Sequence, residues 1–195
     1  MVAWGLTNGQ WTPQELVSRV VAKGYKWLAV EWDDPQSQAV NRALYPQIKQ
    51  ALNAQGVMCG PWFTEGGNVY LTPPGADLTI AELEGPGDYI GIKYAEEQGW
   101  VPQVPKAVCT NFSTIGLTEA QFLINHGYTC LTESYLNEAP SLTPDNQDRV
   151  ARNLGWPTSQ PVFGVYATVS QPNPVPLYNE WQDWPGVDYL GEYVL

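Results

Sequence analysis

Histidine is nearly absent from this chain, with one residue, His126, among 195. It stands in the segment INHG at an expected helix end, where a cation favours the last carbonyls. That excludes Ser-His-Asp triads and histidine-rich zinc sites. Cysteine is also scarce: Cys59, Cys109 and Cys130 are an odd number, widely spaced within apolar runs. This argues against a disulfide framework or zinc knuckle and for buried free thiols. Positive charge is the third deficit, with nine Lys and Arg against twenty Asp and Glu, a net charge of −11 and a pI of 4.3. Nucleic acid and anionic membrane surfaces repel such a protein. Lys23, Lys26, Lys49, Lys93 and Lys106 fall on helices or strand starts, away from any Schiff-base position. Arg19, Arg42, Arg149 and Arg152 fall on helices, which disfavours a phosphate substrate. No GxGxxG or GxxxxGK occurs, so no nucleotide cradle is expected. No apolar run approaches the roughly 18 residues that span a bilayer. Met1 is followed directly by VAWGL, which reads as structure rather than a signal peptide.

Hydrophobic residues make up 44% of the chain, enough for one domain, residues 1–195, with a core of its own. Nine Trp and eleven Tyr are more unusual. Aromatic rings fill cores, but an excess also marks flat ligands such as sugars.

An internal repeat organises the sequence. GYKWLAVE ends at Glu31, GADLTIAE at Glu82, GYTCLTE at Glu133 and GVDYLGE at Glu192, so the acids are 51, 51 and 59 residues apart. Each segment opens on Gly, which suits the left-handed end of a preceding helix. Each continues through a short apolar run, as parallel strands buried on both faces do. Four further strands are expected at Val2–Leu6, Val57–Phe63, Lys106–Phe112 and Pro161–Tyr166. Helical stretches separate them. TPQELVSRVVAK carries a capping box from Thr12 to Glu15. NRALYPQIKQALNAQG contains Pro46, expected near a helix start or at a kink. GDYIGIKYAEEQG is expected to be capped by Asp88. Eight strands alternating with helices predict an α/β fold, a compact (β/α)8 TIM-type barrel smaller than the usual ~250 residues. Helix 3 is expected to be replaced by TEGGNVYLTPP, helix 7 shortened and helix 8 missing. An open doubly wound sheet is the alternative.

Several segments, ADLTIAELEGPGDY, AVCTNF, GYTCLTESYLNEAP, RNLGWPTSQPVFGVY and YLGEYVL, resemble a small barrel domain of minor tail proteins from phages of actinobacteria, described as glycoside-hydrolase-like. The resemblance implies a location in the phage tail, action at the host surface and a cell-wall glycan as ligand. It also implies that the chain is a domain of a longer tail protein. It transfers no catalytic residues.

In a barrel, alternate strands supply each inward layer, and active sites lie at the carboxyl ends of the strands. Glu31, Glu82, Glu133 and Glu192 are therefore expected to face one another across the mouth, with Asp33 and Glu84 two residues further on. Crowded carboxylates either retain a proton or share a cation. The segment AELE also resembles the D-x-E strand-4 ending of chitinase-like and lysozyme-like barrels, which implies Glu84 as general acid and Glu82 as its partner. The first residue is Glu where Asp is usual. Glu82 and Glu84 lie on one strand face with Cα atoms ~6.6 Å apart, and paired carboxylates are what glycoside hydrolysis uses. Tyr166 and Asn111 are candidate hydrogen-bonding groups for a sugar, and Trp62 and Trp4 candidate stacking faces. Trp32 is expected on the face opposite Glu31.

The function expected is thus a glycoside hydrolase acting on bacterial cell-wall glycan, with no required cofactor. A catalytically silent glycan-binding or structural tail module is the alternative, and a hydrolase with a divalent cation in the acidic ring is a third. A missing eighth helix would uncover strands 8 and 1, with Tyr189 and Tyr193 outward, for a homo-oligomer or a neighbouring tail domain.

Overall fold

The computed structural model describes residues 12–22, 24–35, 37–110, 115–133 and 144–158 (of 132–133 and 144–145 the backbone alone), together with the backbone of 2–5, 162–167 and 190–194. In chain order the elements are β1 (Val2–Gly5), α1 (Pro13–Ala22), β2 (Trp27–Glu31), α2 (Gln38–Asn53), β3 (Met58–Phe63), a 3-10 turn (Gly66–Leu71), β4 (Thr79–Glu82), α3 (Pro86–Glu97), β5 (Lys106–Thr110), α4 (Leu117–Asn125), β6 (Tyr128–Glu133), α5 (Pro144–Asn153), β7 (Val162–Ala167) and β8 (Leu190–Val194). The fold is α/β. Strands β2 to β6 form an all-parallel five-strand sheet in sequence order, alternating with helices.

Local chemistry explains most boundaries. At the start of α1 the Glu15 carboxylate accepts from the Thr12 amide and hydroxyl, both at 2.8 Å, and Thr12 Oγ1 accepts from the Glu15 amide at 3.3 Å. This is the reciprocal capping box expected from TPQE. At the end of α2, Gly56 takes φ 72°, and the Val57 amide reaches back to the Leu52 carbonyl at 3.0 Å. Only a residue without Cβ turns there without strain, and the chain is delivered into β3.

One expectation needs correction, and one is narrowed. Pro46 does not lie near the start of its helix, because α2 runs through it from Gln38 to Asn53. The apolar face of that helix fixes it, with Tyr45, Ile48 and Leu52 buried against the sheet. Asp88 is not the cap of α3. That place belongs to Gly85, and Asp88, in the first turn, accepts the Glu84 and Gly85 amides at 3.2 Å each.

The sheet is buried on both sides, and alternate residues feed two separate cores. Leu28, Val30, Phe63, Ala81, Val108 and Cys130 face the helices. Ala29, Trp62, Ile80, Ala107, Cys109 and Leu131 form a second cluster on the opposite face. Two-sided burial is why these strands read as continuous apolar runs. In place of a third helix, the 3-10 turn lies against β4, as the run TEGGNVYLTPP suggested. The expectations for helices 7 and 8 fall outside the described residues. Among the described residues no helix is long and apolar enough to cross a membrane.

Candidate functional site

Strands β2 and β4 each end in glutamate, on the face that carries Ala29, Trp62 and Ile80. Their registers keep the alternation in step: Glu31 pairs with Trp62, Trp62 with Ile80, and Glu82 with Cys109. Cys109 pairs with Leu131, two residues before Glu133. The sequence expectation that these tips share a parity therefore holds for β2, β4 and β6 at the level of the backbone. The side chains of Glu133 and Glu192 lie outside what is described, as do those of Trp4 and Tyr166. Asn111 lies outside the described residues altogether.

Glu31 is buried, 8% exposed. Its Oε2 accepts the Ser37 hydroxyl at 2.8 Å. Ser37, itself buried, occupies the N-cap of α2 but makes no side-chain cap bond. The hydroxyl that would ordinarily serve the helix end serves the glutamate instead. Asn41, one turn into α2, fixes the arrangement. Its Nδ2 donates to the Glu31 carbonyl at 2.9 Å and to Ser37 Oγ at 3.1 Å. Burial raises the Glu31 pKa from 4.5 to about 7; the Ser37 hydrogen bond works against this, and the nearby Asp34 and Asp33 charges add to it. Glu31 is thus a carboxyl that holds its proton to near-neutral pH, the property a general acid requires.

Glu82 is half-buried and accepts from the indole Nε1 of Trp62 at 3.2 Å. Trp62 is 2% exposed within the inner cluster. It is therefore not the sugar-stacking face expected from sequence. Its apolar body fills the core, and its one polar atom orients a carboxylate. Glu84 follows on the same alternation and is exposed. Gly66 of the 3-10 turn packs directly beneath this tip, where an added Cβ would sit 2.0 Å from the Glu82 carbonyl oxygen.

Asp33, expected just beyond the tip of β2, has loop partners. Its carboxylate accepts from the Thr64 amide (2.8 Å) and hydroxyl (2.9 Å), the Glu65 amide (3.2 Å) and Asn68 Nδ2 (2.9 Å). Both oxygens are occupied in bracing the segment after β3. Trp32 lies on the helix-facing side, as its parity predicts, with its ring edge-on to Tyr45.

Sequence reasoning missed the Ser37–Asn41 pair and the Trp62–Glu82 bond. Ser37 opens α2, and Asn41 follows at i+4 on a buried helix face, a placement where polar groups need partners. That pattern was the available signal. The three cysteines are free and buried, and burial pushes the Cys59 thiol up to about 12, which disfavours a thiolate nucleophile. Among the described residues no three His, Cys, Asp or Glu side chains gather as a metal site would require. Compared with models of known protein families and with curated protein sequences, the chain matches none.

Proposed function

We propose that the chain is a carbohydrate-active (β/α)8 barrel of a phage tail, hydrolysing a bacterial cell-wall glycan with carboxylates at the carboxyl ends of its strands. Closure is supported by pairing beyond the central sheet. β7 pairs with β6, β8 with β7, and β8 with β1, all parallel. Carried strand by strand through all the registers, the pairing returns to β2 displaced by eight residues. That displacement is the shear of (β/α)8 barrels.

The same registers revise the acidic ring. Glu192 pairs with Ala3, and Ala3 with Leu28, so Glu192 falls on the helix-facing alternation, opposite that of Glu31. Tyr166 pairs with Glu192 and shares that alternation. Tyr193 pairs with Trp4, and Trp4 with Ala29. Three acids, Glu31, Glu82 and Glu133, remain in step.

The observation that carries this function is the unlike environment of two strand-tip carboxyls. Glu31 is buried and keeps its proton to about pH 7, while Glu82 is half-buried and hydrogen-bonded by an indole N–H. An acid and a base set apart by their surroundings are what glycoside hydrolysis uses. Glu31 is the proposed general acid and Glu82 the proposed base or nucleophile. Glu84 is exposed and is assigned to glycan contact in place of the acid role implied by the AELE segment. Purified actinobacterial cell-wall glycan should release reducing ends when incubated with the protein. Activity should fall as pH rises through about 7, and Glu31→Gln and Glu82→Gln should each lower it by at least ~10²-fold. Release that persists in both variants would remove the proposed roles.

A second reading is favoured by one observation: Glu31 bonds to Ser37 at the entry to α2, and Asp33, just past β2, bonds to the segment after β3. A silent glycan-binding tail module would use them for shape alone. Saturable glycan binding with no reducing ends released, by the parent protein as well as the variants, would select it.

A further inference from the structure

On the helix-facing side, a groove of about 520 Å³ runs between α2 and the segment before β4. Pro46, Pro73 and Pro74 give it accessible apolar walls, the buried Trp32 and Tyr45 close its floor, and Arg42 stands at its rim. The volume lies within the range of small-molecule sites. The decisive residue is Arg42. Its Nε donates to the Trp32 carbonyl at 2.9 Å, and its guanidinium carbon lies 5.5 Å from the centre of the Trp32 ring. One edge of the guanidinium is thereby fixed and one face is covered. The Nη pair makes no hydrogen bond or ion pair with any described residue. The other nearby cation, Lys49, is already engaged by Asp77 at 2.6 Å.

A planar fork held in place beside an apolar trough is matched by a planar anion on an apolar body. Guanidinium and carboxylate pair through two parallel hydrogen bonds. We infer that this groove binds a small carboxylic acid whose ring or chain lies against the prolines, with its carboxylate on the Arg42 fork. None of the strand-tip glutamates lines this groove.

The test is a titration followed by amide and indole N–H chemical shifts, with 3-phenylpropionate as probe and uncharged 3-phenylpropanamide as control. The acid should bind saturably in roughly the millimolar range, as expected for a fragment of that size. Shifts should centre on Trp32, Tyr45 and α2. The amide should bind about tenfold more weakly. Arg42→Gln should bring the acid down to the level of the amide, and Arg42→Lys should restore only part of the difference, because an ammonium offers no fork. Arg42 is exposed, so both variants are expected to melt as the parent does; if Arg42→Gln unfolds, Arg42→Lys and the acid–amide comparison decide. Equal affinity for acid and amide, an unchanged affinity in the Arg42 variants, shifts centred elsewhere, or no saturation at ten times the expected concentration would each overturn the inference.

Discussion

The two ends of the sheet treat charge differently. At the amino ends of the strands, buried charges are matched by opposite charges. Lys106, at the start of β5, pairs with Glu96 at 2.7 Å, with both side chains at most 7% exposed. Asp77, just before β4, pairs with Lys49 at 2.6 Å and accepts the Cys59 amide at 2.9 Å. Burial alone would raise the Asp77 carboxyl, but these partners outweigh it and hold it below its ordinary value. At the carboxyl ends the partners include a hydroxyl for Glu31 and an indole N–H for Glu82. The first end is built for stability. The second keeps a buried acid at a cost, as functional sites do.

Breaking the lower end should have the largest effect on stability. Lys106→Met leaves Glu96 buried without its cation and should cost about 3–5 kcal/mol in urea unfolding. The double variant Lys106→Met/Glu96→Leu should recover most of that loss. At the upper end the sign should reverse. A carboxyl raised from 4.5 to about 7 keeps its proton in the folded chain while the unfolded chain loses it. Its contribution therefore vanishes below about pH 4.5, turns unfavourable as pH rises, and levels off above about 7 at on the order of 3 kcal/mol. Glu31→Gln should raise the melting temperature by several degrees at pH 8 and leave it unchanged at pH 4, while abolishing glycan release. A smaller effect, about 1 kcal/mol, is expected for Ser37→Ala, which removes the one hydroxyl opposing the rise. In that variant the pH at which stability levels off should move higher.

Much of this architecture was legible in the sequence. The Gly-to-Glu frames mark β2, β4 and β6 because each strand is buried on both faces and bounded by turn chemistry. The capping box at Thr12 and the loss of helix 3 were readable for the same local reasons. Parity was less secure. Counting back from a terminal acid assumes that every strand enters in step, whereas alternation is set by pairing, and in the proposed barrel Glu192 pairs with Ala3. Trp62 was misread, and the contacts of Asp33 were missed, for a different reason. A polar or aromatic residue near a strand tip carries the same sequence signal whether it meets a ligand or a neighbouring loop. Only the contacts show Asp33 bracing Thr64 and Asn68, and Trp62 inside the core. Ser37 and Glu31 are six residues apart, and their bond depends on how the chain turns into α2.

The most direct measurement is the titration of the Glu31 side-chain carboxyl by carbon NMR, assigned by comparison with Glu31→Gln. A midpoint near 7 is expected. A midpoint at the ordinary glutamate value of ~4.3 would contradict the proposal that this end of the sheet holds a general acid.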